Sequence, residues 1–485
     1  MRRATFAPLL SVVLVLVLAP FATPAAAERT VDPAVKLLVS SADGELVEAP
    51  AYAAEPRRES FEVLPAKRRQ TLAGWGGALN EKGWEMLQVL PPDARAQLLR
   101  RMFVAGEGLS LNFGRVPVGA NDYALSRYSL AETPGDLSME KFSIERDRKM
   151  IIPYARAAQA LQPGMRFWAS PWSPPPWMKD NGGFDSGRMK DDPEIFAAYA
   201  LYLAKFVEAY RAEKIPVEAI AVQNEPQILT AYPSCQWDPP QFQTFIRDHL
   251  GPTLVKRNSG AKVILGTFNM PRDDGHVRAV LDDDKARSFV GILGLQWDGI
   301  SVLGAARKRA PAVPVWHTET DCGNHHWERG FDPDKPQNDM DYAVMTWRAI
   351  RRYVAGGVEV YSLWNLVLDE TGKSIDAKMP WPQNSPIVVD RQTKKVTYTP
   401  MFLAVQHWSR FSVPGSVVLE PCGIENGLAV VRPDGSAAVQ LMNPGTAEAT
   451  LRVQLGTKAW DTVLPARSFA TMLIPPKMLI SPQVP

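Results

Sequence analysis

Cysteine is scarce in this sequence, with three residues among 485. The net charge is also small, because 54 basic and 52 acidic side chains leave a formal charge of +2. Three cysteines are too few for a disulfide framework, and an odd number leaves at least one thiol free. A chain so close to neutrality has no overall attraction to nucleic acid or to an acidic membrane. The stability of the fold therefore has to come from its hydrophobic core. We also predict no nucleic-acid partner.

Long apolar runs are absent after the first 27 residues. That segment starts with Arg2 and Arg3, continues through an apolar run over residues 9–19 and ends in three alanines at positions 25–27. The run is well short of the roughly 20 residues that span a bilayer, so the pattern predicts a secretory signal peptide over residues 1–27. Its removal takes away two positive charges and no negative ones, which leaves a net charge of zero. We expect an exported protein, secreted or periplasmic, without a transmembrane segment after cleavage.

Several common catalytic motifs are missing as well. The sequence has no GxSxG elbow, no P-loop and no Rossmann glycine pattern, so serine hydrolase, NTPase and dehydrogenase functions have no support. His317, Cys322, His325 and His326 are close in sequence, but they lack the HExxH or CxxC spacing of metal sites. We therefore predict no metal and no other cofactor.

The middle of the chain alternates short apolar runs with amphipathic ones. Stretches 193–211, 240–254 and 339–355 are typical of helices. Buried strands alternating with helices indicate a parallel sheet covered on both faces. Roughly eight such units between residues 72 and 370 fit a (β/α)8 barrel, although periodicity alone leaves a doubly wound open sheet as the alternative. The strand-like runs are residues 109–116, 165–170, 219–224, 263–268, 313–318 and 358–364.

The pattern changes after residue 395, where short β-rich runs are separated by turn signals. The runs at 427–432, 437–443, 449–455 and 468–474 predict a small antiparallel β-sandwich. Residues 35–64 are also strand-like, and we expect them to pair with these C-terminal strands. The predicted organisation is a signal peptide (1–27), N-terminal sandwich strands (28–70), a catalytic barrel (71–394) and the C-terminal part of the sandwich (395–485).

Two glutamates follow apolar strands of the predicted barrel. Residues 219–224 lead into Glu225, which Pro226 follows, and residues 313–318 lead into Glu319. The carboxyl ends of barrel strands form the catalytic face, so both side chains are expected on one face. A retaining glycosidase holds two carboxyl groups about 5–5.5 Å apart, one protonated to donate to the leaving oxygen and one ionised to attack the anomeric carbon. A lone glutamate is more often a salt-bridged strand end, but the pair favours catalysis.

Aromatic and cationic residues accompany the two glutamates at other strand ends. Residues 170–177 follow a strand and carry two indoles, of which we expect Trp172 to contact a sugar and Trp177 to be structural. Trp364 ends another strand on the same face. Arg115 is a cation at a strand end, where it would keep a neighbouring carboxylate ionised.

With these residues identified, the sequence resembles glycoside hydrolase family 30, and within it the glucosylceramidase branch. The resemblance implies a (β/α)8 barrel fused to a β-sandwich built from both termini, net retention of configuration and no metal. Carried over residue by residue, it makes Glu225 the acid/base and Glu319 the nucleophile, and it makes Asn224 the residue that hydrogen-bonds the sugar's 2-hydroxyl. The strings that carry the resemblance are residues 74–78, 115–117, 169–172, 224–226, 364–366 and 385–390.

The resemblance also implies a substrate pocket. Asp122 matches a carboxylate that holds outer glucose hydroxyls, and Trp172 and Trp364 complete the glycone pocket. Trp381 and Asn384 resemble residues on the aglycone-side rim. The expected partner is a β-linked glucoside, glycolipid or oligosaccharide.

One departure from the branch lies at the end of the sixth strand. The glucosylceramidase branch has histidine, tryptophan and tyrosine there, and the tyrosine can touch the nucleophile. This sequence has Gln296, Trp297 and Asp298 instead. An inward-pointing Asp298 would place a third carboxylate near the nucleophile, where it would raise a pKa or bind a hydroxyl. We therefore include Gln296 and Asp298 among the supporting residues.

The leading hypothesis is a retaining β-glucosidase acting on glucosylceramide or a related β-glucoside. The alternative within the family is an endo-acting β-1,6-glucanase or another β-glycanase. A different class of protein, an inactive carbohydrate-binding barrel, would be expected to lack one of the two carboxylates. The sequence leaves the oligomeric state open.

Overall fold

The computed structural model describes residues 29–479, so the predicted signal peptide lies outside the described residues. Eight parallel strands pair in chain order, and the eighth pairs with the first to close a barrel. This closure confirms the predicted (β/α)8 barrel, because an open sheet would leave two edge strands. The eight strands are Gly74–Ala78, Phe113–Val118, Arg166–Pro171, Val217–Ala221, Lys262–Phe268, Val290–Gln296, Val315–Glu319 and Val360–Asn365.

Six of the eight barrel strands coincide with the apolar runs of the sequence. The first strand, Gly74–Ala78, and the sixth, Val290–Gln296, contain glycines that weaken the strand pattern. At Gly76 the neighbouring strand comes so close that an added Cβ would lie 2.6 Å from the Cβ of Phe113. Close packing between strands therefore requires a residue with low strand propensity, and this is why the sequence pattern understates these two strands.

The barrel interior is filled by large side chains from several strands. The ring of Phe113 meets that of Trp316 edge-on at 5.4 Å, and Trp168 packs beside them. Helices cover the outside of the barrel, and Asp192 and Asp339 cap the two longest of them with their carboxylates. The helices between residues 81 and 356 are Glu81–Gln88, Pro92–Phe103, Ile151–Leu161, Pro193–Ala212, Pro239–Thr244, Gly251–Lys256, Asp274–Leu281, Asp284–Phe289, Leu303–Arg309 and Met340–Gly356.

The helix predicted over residues 240–254 is present but not uniform. Its middle turn, Phe245–Leu250, is a π-helix between the α-helical segments Pro239–Thr244 and Gly251–Lys256. Pro252 has no N–H to continue an α-helical ladder, and its ring clashes with the carbonyl four residues earlier in a regular helix. The wider π turn accommodates both effects.

The β-sandwich takes strands from both ends of the described chain, as predicted. Lys36–Ser41 pairs antiparallel with Ser468–Ile474, with Leu37 opposite Met472. One sheet contains seven strands: Gly44–Ala49, Lys36–Ser41, Ser468–Ile474, Ala437–Asn443, Gly427–Val431, Val417–Leu419 and Arg68–Thr71. The other contains Ala51–Ala54, Lys458–Leu464, Ala449–Leu455 and Phe61–Glu62, and a small sheet of Val367–Asp369, Ile387–Val389 and Val396–Tyr398 lies apart from both.

A further helix, Pro400–Phe411, connects the barrel to the sandwich. It packs against the barrel helix Met340–Gly356, and its His407 lies within hydrogen-bond distance of Ser40 and Thr471 on two sandwich strands. The helix begins after the predicted boundary at residue 395.

A short helix, Pro476–Leu479, ends the described chain. No helix between residues 29 and 479 has the length and apolar composition needed to cross a bilayer.

Candidate active site

A cavity of about 360 Å³ opens at the carboxyl ends of the barrel strands, and both glutamates line it. Its size falls within the range of small-molecule pockets. The sequence-predicted residues that line it lie at or after the carboxyl ends of six different strands, so the fold brings together side chains separated by more than 250 positions. The lining residues are Asp122, Trp172, Asn224, Glu225, Ile228, Tyr232, Asn269, Met270, Trp297, Asp298, Glu319, Trp327, Trp364, Trp381 and Gln383.

Glu225 follows the fourth strand and is almost fully buried. Its φ of 49° is left-handed, a conformation that costs a non-glycine residue about 1–3 kcal/mol and is found mainly at functional sites. One carboxyl oxygen, Oε1, accepts an N–H from Asn269 at 2.9 Å and another from Gln296 at 3.1 Å. The other oxygen, Oε2, is thereby left to carry a proton.

Glu319 ends the seventh strand and is equally buried, but its partners differ. Arg115 donates to Oε2 at 2.5 Å, and the indole N–H of Trp297 donates to Oε1 at 2.9 Å. Each oxygen of this carboxylate therefore has a donor, and one donor is a cation. Hydrogen bonds of this kind favour the ionised form.

The electrostatics separate the two glutamates. Burial raises the pKa of Glu225 to about 8, with a further rise from the charge of Glu319. Burial also raises the pKa of Glu319, but Arg115 and the Trp297 hydrogen bond oppose that rise. With a cation on one carboxyl and none on the other, Glu225 holds a proton more readily than Glu319.

Arg115 is fully buried and connects the two sides of the site. Besides Glu319, it donates to Asn224 Oδ1 at 2.7 Å and to Ser170 at 2.9 Å. A guanidinium only donates, so the Asn224 atom facing it must be the amide oxygen. Thr267 donates to the same oxygen at 2.9 Å. The Asn224 amide nitrogen is therefore left for a ligand in the cavity.

One side of the cavity is aromatic and acidic. Trp172 and Trp364 stack with ring centroids 5.1 Å apart, and the Arg115 guanidinium lies 4.3 Å from the Trp172 ring. Asp122 is 5% exposed, and its Oδ1 has no hydrogen-bond partner among the described residues. Burial and the charge of Glu319 raise the pKa of Asp122 to about 8. Trp177, by contrast, donates to the Ala131 carbonyl and does not line the cavity.

Asp298 borders the cavity but is not the inward-pointing carboxylate that the sequence raised as a possibility. Its side chain is 73% exposed and pairs with Arg352 at 3.1 Å, away from Glu319. The left-handed conformation of Trp297, with φ at 51°, turns the chain so that the indole rather than the carboxylate of Asp298 reaches Glu319. The third buried carboxylate of the site is Asp122.

The two predicted rim residues have different positions. Trp381 lines the cavity and donates its indole N–H to the Asn324 carbonyl at 2.6 Å. Asn384 does not line it and is not a rim residue: it is 2% exposed, and its amide oxygen accepts the backbone N–H of Asn338. Asn384 therefore holds loops together behind the site.

Two of the four side chains considered as metal ligands, His317 and His325, have other partners. His317 stacks on Tyr361 outside the barrel interior, with centroids 3.8 Å apart. His325 lies 2.8 Å from an Asp321 oxygen and stacks on Trp327. Over residues 29–479, no three His, Cys, Asp or Glu side chains are grouped as metal ligands.

Sequence reasoning missed two residues that bond the glutamates, Asn269 and Trp297. Asn269 directly follows the fifth strand and Trp297 directly follows the sixth. Position after a barrel strand, the same signal that identified Glu225, would have identified both. A polar network below the cavity was also missed, in which Asn121, Asn80, Asn365 and Gln383 are linked in that order by amide hydrogen bonds.

A second cavity, of about 340 Å³, adjoins the first. The two share Asp122, Tyr232, Trp381 and Gln383 as lining residues. The second cavity is otherwise formed by loops after the third, fourth, seventh and eighth strands, with Ser186, Thr230, His326, Asp376 and Lys378 among its polar lining residues. Room for a ligand therefore extends past Asp122.

Comparison with protein families identifies both parts of the chain. The model of the glycosyl hydrolase family 30 TIM-barrel domain matches residues 72–412, and that of the family 30 beta sandwich domain matches residues 425–472. The barrel match includes the connecting helix Pro400–Phe411, which the predicted boundary at residue 395 had assigned to the sandwich.

Individual relatives are similar over most of their length. Lysosomal acid glucosylceramidase of Mus musculus is 30% identical over 85% of this chain and 82% of its own. An endo-1,6-beta-D-glucanase of Neurospora crassa is 24% identical over 86% of this chain and 88% of its own. Among solved structures, SrfJ from Salmonella typhimurium has a TM-score of 0.81 at 23% identity, covering 91% of this chain and 99% of that one. The endo-beta1,6-glucanase BT3312 has a TM-score of 0.77 at 20% identity, covering 91% and 100%.

Proposed function

The chain belongs to glycosyl hydrolase family 30, and from that premise we propose that it is a retaining β-glycoside hydrolase with Glu319 as nucleophile and Glu225 as acid/base. The observation that carries this assignment is the unequal surroundings of the two buried glutamates. Glu319 has a guanidinium on one oxygen, whereas Glu225 accepts only neutral N–H donors. A nucleophile has to be ionised and an acid protonated at the same pH, and these surroundings favour that distribution.

The first chemical step forms a glycosyl-enzyme intermediate. Glu319 attacks the anomeric carbon while the bond from that carbon to the leaving oxygen breaks, and Glu225 gives its Oε2 proton to that oxygen. Arg115 and Trp297 hold the attacking carboxylate in position. The Asn224 amide nitrogen, which faces the cavity because Arg115 and Thr267 occupy its oxygen, binds the 2-hydroxyl of the sugar.

The second step hydrolyses that intermediate. Glu225, now ionised, takes a proton from water, and the water oxygen displaces Glu319 from the anomeric carbon. Two displacements at one carbon return the original β configuration. The part of the cavity lined by Asp122, Trp172 and Trp364 takes a β-linked glucose unit, such as that of glucosylceramide or a related β-glucoside. On the strength of the pattern in residues 1–27, we further propose that the mature enzyme is exported.

Product stereochemistry tests this proposal. In an aryl β-glucoside digest followed by proton NMR, β-glucose is expected to appear first and the α anomer only later by mutarotation. Initial release of α-glucose would contradict the double displacement. Saturable sugar binding without turnover on aryl β-glucoside, β-xyloside, β-galactoside and β-fucoside would favour an inactive carbohydrate-binding barrel instead.

The second cavity favours a second candidate, an endo-acting β-glycanase such as a β-1,6-glucanase. It shares Asp122, Tyr232, Trp381 and Gln383 with the first cavity, so it offers space for a further sugar unit next to the one held at Asp122. An endo enzyme is expected to release products of two or more sugars early in the digestion of a β-1,6-linked gluco-oligosaccharide. Glucose as the sole early product, measured by chromatography, would exclude endo action and leave the β-glucosidase.

A further inference from the structure

The turn after the sixth barrel strand has contacts with both glutamates, although it supplies neither of them. Gln296 is the last residue of the strand Val290–Gln296, and its Nε2 lies 3.1 Å from Glu225 Oε1. Trp297 is the next residue, and its Nε1 lies 2.9 Å from Glu319 Oε1. Successive side chains of a strand normally point to opposite faces. The left-handed φ of 51° at Trp297 breaks that alternation and brings both side chains to one site.

We infer that Gln296 and Trp297 form a positioning turn, in which each residue donates one N–H to one catalytic glutamate and so fixes which carboxyl oxygen is left to react. This inference rests on the proposed function. On Glu225, the donors Gln296 and Asn269 converge on Oε1, which directs the transferable proton to Oε2. On Glu319, the indole holds Oε1 while Arg115 holds Oε2, which fixes the plane of the attacking carboxylate.

The turn is itself held in place by neighbouring groups. The hydroxyl of Thr318, the residue before Glu319, lies 3.0 Å from Gln296 Oε1, on the opposite side of the amide from the nitrogen that faces Glu225. The Tyr353 hydroxyl donates to the Trp297 carbonyl at 2.8 Å, and the rings of His325 and Trp381 lie 5.5 and 6.1 Å from the indole. The two donors are therefore preorganised before substrate binds.

Neither donor titrates, and this gives the turn a measurable signature. A donor to a carboxylate stabilises the ionised form and lowers the pKa, so its removal raises the pKa of the glutamate it touches. Activity requires Glu319 ionised and Glu225 protonated. Loss of the Gln296 donor therefore moves the alkaline limb of kcat/KM to higher pH, and loss of the Trp297 donor moves the acid limb to higher pH. The other ionisable or charged groups facing the pair are Arg115, Asp122, Tyr232, Asp321 and Cys322, and none belongs to the turn.

The experiment compares pH profiles of kcat/KM on one aryl β-glucoside for the wild type, Gln296→Met and Trp297→Phe. The wild-type alkaline limb is expected near pH 8, where the pKa of Glu225 lies. Each variant is expected to shift its own limb upward by about one pH unit and to leave the other limb in place. Gln296→Leu and Trp297→Leu replace any variant that fails to fold.

Ser301→Ala is the matched control. The Ser301 hydroxyl donates to the Asp298 carbonyl at 2.7 Å just after the positioning turn and touches neither glutamate, so the acid and alkaline limbs are both expected at their wild-type positions. The inference would be overturned if the pH profiles of kcat/KM kept both limbs in place in the folded Gln296 and Trp297 variants. Equal shifts in the Ser301→Ala control would overturn it as well. A wild type that cleaves no β-glycoside with retention would instead contradict the proposed function.

Discussion

Replacing Glu319 with alanine is expected to lower kcat on an aryl β-glucoside by about 10⁴-fold or more, because no other group can form the covalent intermediate. The loss should appear even with an activated leaving group, which needs no protonation. Added azide is expected to restore turnover through the space left by the side chain, and it should give the α-glycosyl azide, because a single displacement inverts the anomeric carbon. The measurements are initial rates and NMR of the product.

Two matched variants separate loss of the nucleophile from general damage. Glu319→Gln keeps the volume of the side chain, so it should be inactive and resistant to azide rescue. Glu218→Ala removes a glutamate from the fourth strand, where Glu218 pairs with Arg166 at 2.8 Å on a partly exposed surface, and it should keep wild-type activity. Wild-type turnover by folded Glu319→Ala, or formation of the β-glycosyl azide, would show that the nucleophile is a different residue.

The sequence predicted the barrel and the positions of its two glutamates because both depend on local signals. Apolar runs of strand length mark the buried strands, and a polar residue just after such a run marks the catalytic face. The closed barrel confirms the fold, and Glu225 and Glu319 line one cavity. The signal is weak where strands must approach closely, as at Gly74–Ala78, since glycine carries no strand preference of its own.

The direction of individual side chains was not available from the sequence. The sequence left open whether Asp298 points inward, and a left-handed residue before it turns its side chain out to Arg352. Backbone conformations of this kind follow from tertiary packing and not from local propensity. Asn384 is a similar case, since a residue matched to the rim by its place in the sequence is buried behind the loop. Strand ends can be located from the sequence, but the structure is needed to tell which of two neighbouring side chains faces the cavity.

Replacing Arg115 with methionine is expected to affect both catalysis and folding. Methionine keeps much of the volume but leaves Glu319 buried without its cation, so the pKa of Glu319 should rise by about 1–3 units. Since the nucleophile must be ionised, the acid limb of kcat/KM should move up by the same amount, and activity at pH 6 should fall accordingly. Breaking a buried ion pair from one side also destabilises a fold by about 3–5 kcal/mol, which urea unfolding above the acid limb would measure.

Arg115→Lys and the double variant Arg115→Met/Glu319→Gln identify the cause. Lysine keeps the charge but cannot donate to Glu319, Asn224 and Ser170 together, so the acid limb should stay near its wild-type position while KM rises through loss of the Asn224 anchor. In the double variant no charge is left buried alone, so Arg115→Met should cost less stability in the Glu319→Gln background than in the wild type. Equal costs in both backgrounds, with an unmoved acid limb, would mean that Arg115 acts through packing against Trp172 rather than through the charge of Glu319.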